Sequence, residues 1–573
     1  MDYSIKIGGE AGQGIQTIGD ALAHIFTRAG FYVFSHQDYE SRIRGGHNFY
    51  QIRISDRPIT ASRNRVHILV ALDRESIFLH ERELVEEGQV LYDSSLLRER
   101  FEKENFLDLP LLKLALEFGG DKIMVNTVAI GAIIGMLGMD PEIMFELIKK
   151  TFIKKGIDLV EANLKAAKAG YELARKECLR CSFRLSEFTE PKMLISGNEA
   201  IGLGAIASGV KFYSAYPMTP STGIFNFIAE QAKDFDIVVE QAEDEISAIN
   251  MIIGASFAGV RAMTGTSGGG FALMVEGLSL AGMTETPIVV ALAQRPGPAT
   301  GLPTRTEAAD LLFALYAGHG EFPKILFAPG NPEQAFYLTN KAFDLAEKFQ
   351  VPAIILTDQY LADSQWSYQS FDLTKLKYVD YRLRGDSLKN LSGYKRHAFT
   401  DTGVSPLGIP GDSSHLIITD SDEHDEEGHL IEDAEIRVKM VQKRLFQKIP
   451  LLKKEIEPPT LYGEKKPDLL LICWGSLYGI VKEVVDELSK DFKVAMLHFS
   501  EIFPFSEEVS WVNLIKEAKI VINIEQNATS QFAKLLQLET GVRIKKHINR
   551  FDGRPFTVDE LKERVNYAYL ERF

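Results

Sequence analysis

The chain has 573 residues, which at roughly 100 to 200 residues per domain excludes a single core. With 45% hydrophobic and 25% charged residues, 45 Gly and 22 Pro, its composition is that of a folded globular protein and excludes disordered and fibrous classes. A net charge of −15, with no Lys/Arg-rich run, argues against a nucleic-acid binder, because phosphate neutralisation needs a basic face.

The opening, Met1 to Ile7, lacks the basic and then apolar order of a secretory signal. It reads instead as a short strand, followed by Gly8-Gly9-Glu10-Ala11-Gly12-Gln13-Gly14 and a helical pattern to about Gly30. Backbone amides of such a turn can approach a phosphate at a helix N-terminus, although a tight strand-to-helix turn explains the glycines equally well. Arg42-Ile43-Arg44-Gly45-Gly46-His47-Asn48 adds two guanidiniums and two flexible residues, suited to a phosphate-bearing ligand or simply to a charged surface loop. Further strands are predicted at 49–54, 67–71 and 122–126, and helices at 141–149 and 157–176. This first domain spans 1–177, and 178–195 reads as a linker.

The sequence contains three cysteines, Cys178, Cys181 and Cys473, too few for a disulfide framework, which favours a reducing compartment. The longest apolar stretch, about 246–283, is broken by Arg261 and many glycines and falls short of the roughly 20 residues of a membrane span. The expectation is a soluble cytoplasmic protein.

From Gly197 the alternation becomes regular, with strands predicted at 212–216, 237–240, 261–264, 287–293, 324–327 and 352–357. Repeated strand-helix order is the signature of a doubly wound parallel α/β sheet, whose ligands bind at the carboxyl ends of strands. The loops there are polar or Gly-rich. Tyr216-Pro217-Met218-Thr219-Pro220-Ser221-Thr222 presents hydroxyls at a helix start, where Ser221 or Thr222 is also a natural N-cap. Glu240, Glu243, Asp244 and Glu245 precede an apolar helix and would favour its dipole. Glu245 is the one drawn toward the interior, where a raised pKa would suit proton donation to a ring nitrogen. Thr264 to Gly270 permits close backbone approach, and the loop 294–306 carries Arg295 and Arg305, either able to clamp a carboxylate or to form a surface ion pair.

The segment 365–465 reads as an excursion and linker, with an acidic run from Asp420 to Asp433 and a helix near 434–447. Within it, His424-Asp-Glu-Glu-Gly-His429 is a candidate metal site, weighed against a solvated charged loop. A last α/β block, 466–573, carries strands predicted at 469–473, 493–497 and 520–524.

Several separated motifs, in order, resemble one family. Tyr216-Pro-Met-Thr-Pro220 is similar to the Tyr-Pro-Ile-Thr-Pro of the 2-oxoacid:ferredoxin oxidoreductases, with Met218 a volume-similar replacement. Gly8 to Gly14 resembles the opening of that family's gamma domain, and Gly301-Leu-Pro-Thr-Arg-Thr306 its Arg-bearing loop. Over nearly its whole length the chain resembles the fused gamma-alpha subunit of these enzymes, of the 2-oxoglutarate type. The resemblance implies a multidomain α/β fold: a gamma-like domain on the coenzyme A side, a thiamine-diphosphate-binding (pyrimidine) parallel-sheet domain at 196–364, and a transketolase-C-like domain at 466–573.

The resemblance also implies thiamine diphosphate chemistry, in which CO2 leaves a 2-oxoacid, electrons pass singly to an iron-sulfur cluster and ferredoxin, and coenzyme A takes the acyl group as a substrate. Thr219 would contact the substrate and Arg305 would bind its carboxylate. Glu245 would hydrogen-bond the aminopyrimidine and assist ylid formation. Tyr216 and Pro217 would line the cofactor, and Gly12, Gly14, Arg44 and Gly45 would contact coenzyme A.

A Gly-Asp-Gly motif for Mg²⁺ is absent; Gly19-Asp20-Ala21 with Asn48 falls in a predicted helix and is rejected. Cys178 and Cys181 are a lone pair, whereas a [4Fe-4S] cluster needs four thiolates. Mg²⁺ and the cluster would therefore belong to a separate beta subunit, in an assembly of the (alpha-beta)2 kind, with no metal held here. The segment His424 to His429 tilts the substrate toward 2-oxoglutarate; pyruvate or branched-chain 2-oxoacids are alternatives. A noncatalytic regulatory subunit is the alternative of another class.

Overall fold

The computed structural model describes residues 1–42, 45–178, 181–186 and 190–570, and its chain divides into two compact units. The first comprises 1–195 with 364–371 and 557–561; the second comprises the remainder.

The first unit is built on a mixed sheet. Its strands are β1 (Asp2–Ala11), β2 (Tyr32–Asp38), β3 (Gly45–Ser55), β4 (Val66–Ala71), β5 (Leu84–Tyr92), β6 (Phe106–Asp108) and β7 (Met193–Ser196), joined by a strand contributed much later, Gln365–Tyr368. The order is β6-β5-β4-β1-β3-β2, then Gln365–Tyr368, then β7. β1, β4, β5 and β6 run parallel, whereas β1-β3 and β2-β3 are antiparallel. Helix α1 (Ile15–Arg28) lays Ile15, Ile18, Leu22, Ile25 and Phe26 on the sheet, the i, i+3, i+4 spacing of an amphipathic helix. Helix α2 (Arg74–His80) follows β4, capped by the Asp73 side chain, which accepts from Ser76 N.

Two expectations fail here. The predicted strand at 122–126 is helical: Lys122–Met124 form one tight turn, and helix α3 (Val125–Leu137) follows. Asp121 accepts from Ile123 N at the start, and α3 is buried on nearly every face, so it has no 3.6-residue period to distinguish it from a buried strand. The other is Gln365–Tyr368, which lies in the expected excursion yet pairs with β2, Gln365 opposite Ser35. Helix α4 (Ile157–Glu177) ends beside Cys178, which forms a single local disulfide with Cys181; Cys473 is buried and free.

The second unit carries two sheets. The larger contains β8 (Val210–Ala215), β9 (Val238–Gln241), β10 (Arg261–Thr266), β11 (Val289–Gln294), β12 (Ile325–Phe327) and β13 (Ala353–Asp358), in the order β12-β13-β11-β10-β8-β9. These six are all parallel, and a short antiparallel strand, Glu501–Phe503, closes the β12 edge. The chain winds from β8 outward to β9, then returns to place β10 on the other side of β8. That reversal creates a crevice between β8 and β10 at their carboxyl ends, where ligands of doubly wound sheets bind. Helices α5 (Gly197–Ala207), α6 (Thr222–Phe235), α7 (Glu245–Phe257), α8 (Gly268–Met283) and α9 (Pro332–Phe349) cover the sheet.

The smaller sheet orders its strands 460–463, 494–499, 469–474, 520–525 and 546–549, all parallel except the first. Leu470, Ile472, Trp474, Leu497 and Phe499 join Leu326, Ile354 and Leu356 in one hydrophobic cluster, so the two sheets of this unit share a core.

The stretch 372–459 is less solvated than its composition suggests. Glu285 is buried and accepts from Lys443 Nζ at 2.6 Å and from Lys448, with His397 Nδ1 at 3.1 Å. Arg396 donates to the Thr284 and Glu285 carbonyls. The expected helix near 434–447 is α-helical over Ala434–Val441 and widens to a π-type turn at Gln442–Gln447. Among the described residues, no helix is long and apolar enough to cross a membrane.

Candidate active site

The turn after β8 is held by its backbone. Met218 O accepts from Ser221 N at 2.9 Å and Ser221 Oγ at 2.7 Å, Thr219 O from Arg295 Nη1 at 2.7 Å, and Pro220 O from Asn198 Nδ2 at 3.0 Å. Of three consecutive carbonyls, one is thus bonded within the turn and two to separate elements, and the Thr219 side chain is only half-buried. Ser221 occupies the N-cap position of α6 without capping it, because its hydroxyl turns back to Met218; Thr222 begins the helix. Arg295 serves this turn, and burial lowers its pKa while Asp310 opposes the shift.

The carboxylates before α7 separate as expected. Glu240 and Glu243 are exposed. Asp244 is the N-cap, accepting from Ser247 N at 2.7 Å, and that bond lowers its pKa. Glu245 turns inward, 4% exposed, and its Oε1 has no hydrogen-bond partner among the described residues. That oxygen lies against Gly270 and Thr266, where any side chain on Gly270 would collide with both. Thr266 Oγ1 in turn lies 4.0 Å from Met218 Sδ, and Tyr213 Oη and Ser221 Cβ flank Gly265. The turn after β8, the end of β10 and the start of α7 therefore meet at the switch-point crevice.

Arg305 lies in the loop after β11, half-buried, its N–H donating to Leu302 O at 3.1 Å and its Cβ against Gly553. Two acids follow it in the same loop, and burial raises the pKa of both. Asp310 faces Gly268 at the head of α8, and burial lifts its pKa to about 6 against the pull of Arg295. Burial, with Asp310 and Asp552, raises Glu307 to about 7.

In the first unit, the glycine turn and Gly45 come together. Gly12 and Gly14 adopt φ of 95° and 80°, conformations that favour glycine, and Gly14 heads α1 with no side-chain cap. Ala11 pairs with Gly45 across the ladder, which places Gly45 beside that turn. Arg44 lies outside the described residues. His47 Nε2 lies 2.7 Å from His80 Nε2, and His80 Nδ1 is 3.0 Å from Glu83 Oε1, a chain no sequence spacing revealed.

The rejected Mg²⁺ motif has other partners: Asp20 accepts from Tyr50 Oη, and Asn48 Oδ1 from Glu40 N. The His424 to His429 pair does not converge. His424 is buried with its ring 3.9 Å from that of His397, while His429 is exposed beside Asp425 and Glu427. Glu285, His397 and His424 do cluster, but the two lysines on Glu285 oppose a cation.

The doubly wound sheet thus brings a buried carboxylate, with an oxygen that has no partner among the described residues, and a hydroxyl-bearing turn together at its switch point, an arrangement able to receive a ligand with a donor group. Comparisons specify the class. Residues 203–443 match the family described as "Pyruvate flavodoxin/ferredoxin oxidoreductase, thiamine diP-bdg", and residues 4–173 match "Pyruvate ferredoxin/flavodoxin oxidoreductase". The alpha subunit of a 2-oxoacid:ferredoxin oxidoreductase from a Sulfolobus species is 34% identical, the alignment covering 99% of this chain and 96% of the relative. The Mycobacterium tuberculosis 2-oxoglutarate oxidoreductase subunit KorA is 28% identical over 99% of this chain and 92% of its own. The structure of 2-oxoglutarate:ferredoxin oxidoreductase from Magnetococcus marinus, with 2-oxoglutarate, coenzyme A and succinyl-CoA bound, superposes with a TM-score of 0.91 at 30% identity, covering 99% of both chains. The chain belongs to the 2-oxoacid:ferredoxin oxidoreductase family as an alpha subunit, an oxidoreductase component that works with partner subunits.

Proposed function

We propose that this subunit interconverts 2-oxoglutarate plus coenzyme A with succinyl-CoA plus CO2, exchanging electrons with ferredoxin. The observation that carries the reading is Glu245, a buried carboxyl with an unpaired oxygen at the switch point of a domain matched to thiamine diphosphate binding. Such an oxygen fits the ring nitrogen of the cofactor's aminopyrimidine, and Gly270 leaves the space beside it. Bound there, thiamine diphosphate supplies a carbon nucleophile for the 2-oxo carbon and an acceptor for the electrons left when CO2 departs.

This chain's residues do the rest by position. Glu245 holds a hydrogen bond at the ring nitrogen and moves a proton there. Thr219 directs its hydroxyl at the reacting end of the substrate, on a turn whose carbonyls are already fixed. Arg305 pairs with the substrate carboxylate in a fork geometry. Tyr216 and Pro217 line the cofactor, and Gly12, Gly14, Gly45 and Arg44 contact coenzyme A.

Mg²⁺ and a [4Fe-4S] cluster reside in a separate beta subunit within an (alpha-beta)2 assembly, in the cytoplasm. Exposed Tyr216, Ile246, Met251, Leu273 and Leu302 around the site support a partner surface there. The 2-oxoglutarate preference draws support from KorA relatives and from the ligands named for the Magnetococcus marinus enzyme.

The test is reduction of ferredoxin or a viologen dye by the chain copurified with its beta subunit, coenzyme A present, comparing 2-oxoglutarate with pyruvate. Highest kcat/KM with 2-oxoglutarate supports the proposal. A pyruvate preference overturns the substrate, and no turnover of any 2-oxoacid by a cofactor-loaded complex overturns the activity.

A further inference from the structure

The loop that carries Arg305 is attached, residue by residue, to the smaller sheet of the same unit. Thr306 N donates to Gly553 O at 3.3 Å, and Ala308 N to Gln526 O at 2.7 Å. Ala308 O accepts from Asn527 Nδ2 at 3.0 Å, Ala309 O from Gln531 Nε2 at 2.5 Å, and Leu312 N donates to Gln531 Oε1 at 2.9 Å. Gln526 Nε2 also reaches Arg554 O at 3.2 Å, which joins the two segments that grip the loop.

The gripping residues are themselves fixed. Asn527 is fully buried, and its amide also donates to Glu525 Oε2 at 2.7 Å. Glu525 Oε2 accepts from Phe532 N and Oε1 from Ala533 N, both at 3.0 Å, and Oε1 also accepts from Asn523 Nδ2. A buried carboxylate with this many donors is rigid, because giving up any one of them leaves a desolvated group unpaired. From the other side, the Thr306 hydroxyl bonds to buried Asp358, which also accepts from Ser476 Oγ and Leu361 N. Upstream of Arg305, residues 299–302 are exposed, with Leu302 N donating to Pro296 O across a turn. Arg305 thus stands where an exposed stretch meets one hydrogen-bonded to the C-terminal block.

We infer that the Gln526–Asn527 turn and Gly553 of the smaller sheet are positioning elements for Arg305, setting where its guanidinium meets the substrate carboxylate. The inference rests on the proposed role of Arg305. It gives the C-terminal block, which contributes no residue to the carboxylate and hydroxyl of the crevice, a function in substrate binding. Gly553 has φ of 77°, and a Cβ there would stand 3.1 Å from both Arg305 Cβ and Leu302 Cδ1 and 3.5 Å from Arg305 Cγ, so even a methyl group presses on the root of the Arg305 side chain. Misplacing a substrate-orienting group by about 1 Å costs on the order of 10²-fold.

The experiment uses the complete complex and compares Asn527→Ala, Gly553→Ala, Arg305→Ala and the Asn527→Ala/Arg305→Ala double variant. The readouts are KM for 2-oxoglutarate, KM for coenzyme A, kcat and the thermal midpoint. The expected result is a rise of about tenfold in the 2-oxoglutarate KM for Asn527→Ala, with the coenzyme A KM unchanged. In the Arg305→Ala background the Asn527 change then adds less than about twofold, because the group it positions is gone. Gly553→Ala reproduces the selective KM rise and carries the test alone should Asn527→Ala fail to assemble. An unchanged 2-oxoglutarate KM in the folded variants overturns the inference, as does a loss that multiplies fully with Arg305→Ala. If Arg305→Ala itself leaves the KM unchanged, the role proposed for Arg305 fails first and the inference falls with it.

Discussion

Replacing Glu245 with leucine separates a catalytic carboxyl from a structural one by the sign of its effect on stability. In this chain the side chain is 4% exposed and Oε1 has no hydrogen-bond partner among the described residues. An unpaired buried oxygen costs about 1–3 kcal/mol, so removing it leaves stability unchanged or raises it by about 1 kcal/mol once the altered packing is allowed for. The same substitution deletes the proposed bond to the aminopyrimidine. A hydrogen bond to a charged group is worth about 1.5–3 kcal/mol, roughly ten- to hundredfold in affinity. Loss of proton transfer takes a further ~10²–10⁴ from turnover. The assay pairs urea unfolding of the cofactor-free complex with turnover and calorimetric thiamine diphosphate binding. A structural carboxyl would lose stability by several kcal/mol and keep its relative cofactor affinity; that pattern, or full turnover in Glu245→Leu, refutes the reasoning.

Thr219→Ala is expected to raise the 2-oxoacid KM or lower kcat while the thermal midpoint holds, since the turn is tied through its carbonyl to Arg295 and not through the hydroxyl; steady-state kinetics with a melting scan checks it. Glu285→Gln strands Lys443 and Lys448 without their counter-charge and should cost about 3–5 kcal/mol near pH 7. Burial pushes Lys443 down to about 8 even with Glu285 beside it, and without that carboxylate its pKa falls further, so the folded variant sheds the proton at a lower pH than the folded parent; the penalty should shrink as pH rises toward 8 and level off above it, which denaturant midpoints at pH 5.5, 8 and 9.5 read directly. Glu307 has a folded pKa raised to about 7 from an ordinary value of 4.5, so its ionisation disfavours the fold increasingly between those values. Glu307→Gln should therefore match the parent below pH 4.5 and be the more stable above pH 7, as unfolding midpoints across that range will show.

The strands of the doubly wound sheet were legible because each is a short apolar run bounded by turn residues, and 261–264 and 352–357 sit within two residues of β10 and β13. Helix α3 was not legible, because burial on nearly every side erases the periodicity on which such reading depends. The strand Gln365–Tyr368 was missed for another reason: its partner, β2, lies some 330 residues upstream, a pairing that local pattern does not encode.

At the site, the same division holds. The residue types and their place at strand ends, Thr219, Glu245 and Arg305, follow from composition, spacing and the family resemblance. So does the inward turn of Glu245, which opens an apolar helix. What spacing left open was which arginine serves the turn. Arg295 and Arg305 are ten residues apart in one loop, and only the packing assigns Arg295 to the Thr219 carbonyl. The buried Glu285 cluster, the His47–His80 contact and the grip of Gln526 and Asn527 on the Arg305 loop were invisible for a common physical reason. Each satisfies a buried polar group with a partner distant in sequence, and such pairing is decided by desolvation and geometry in the folded chain. The sequence alone determined the alternating strands, the turn chemistry and the chemical groups available; only the tertiary structure decided which of those groups meet.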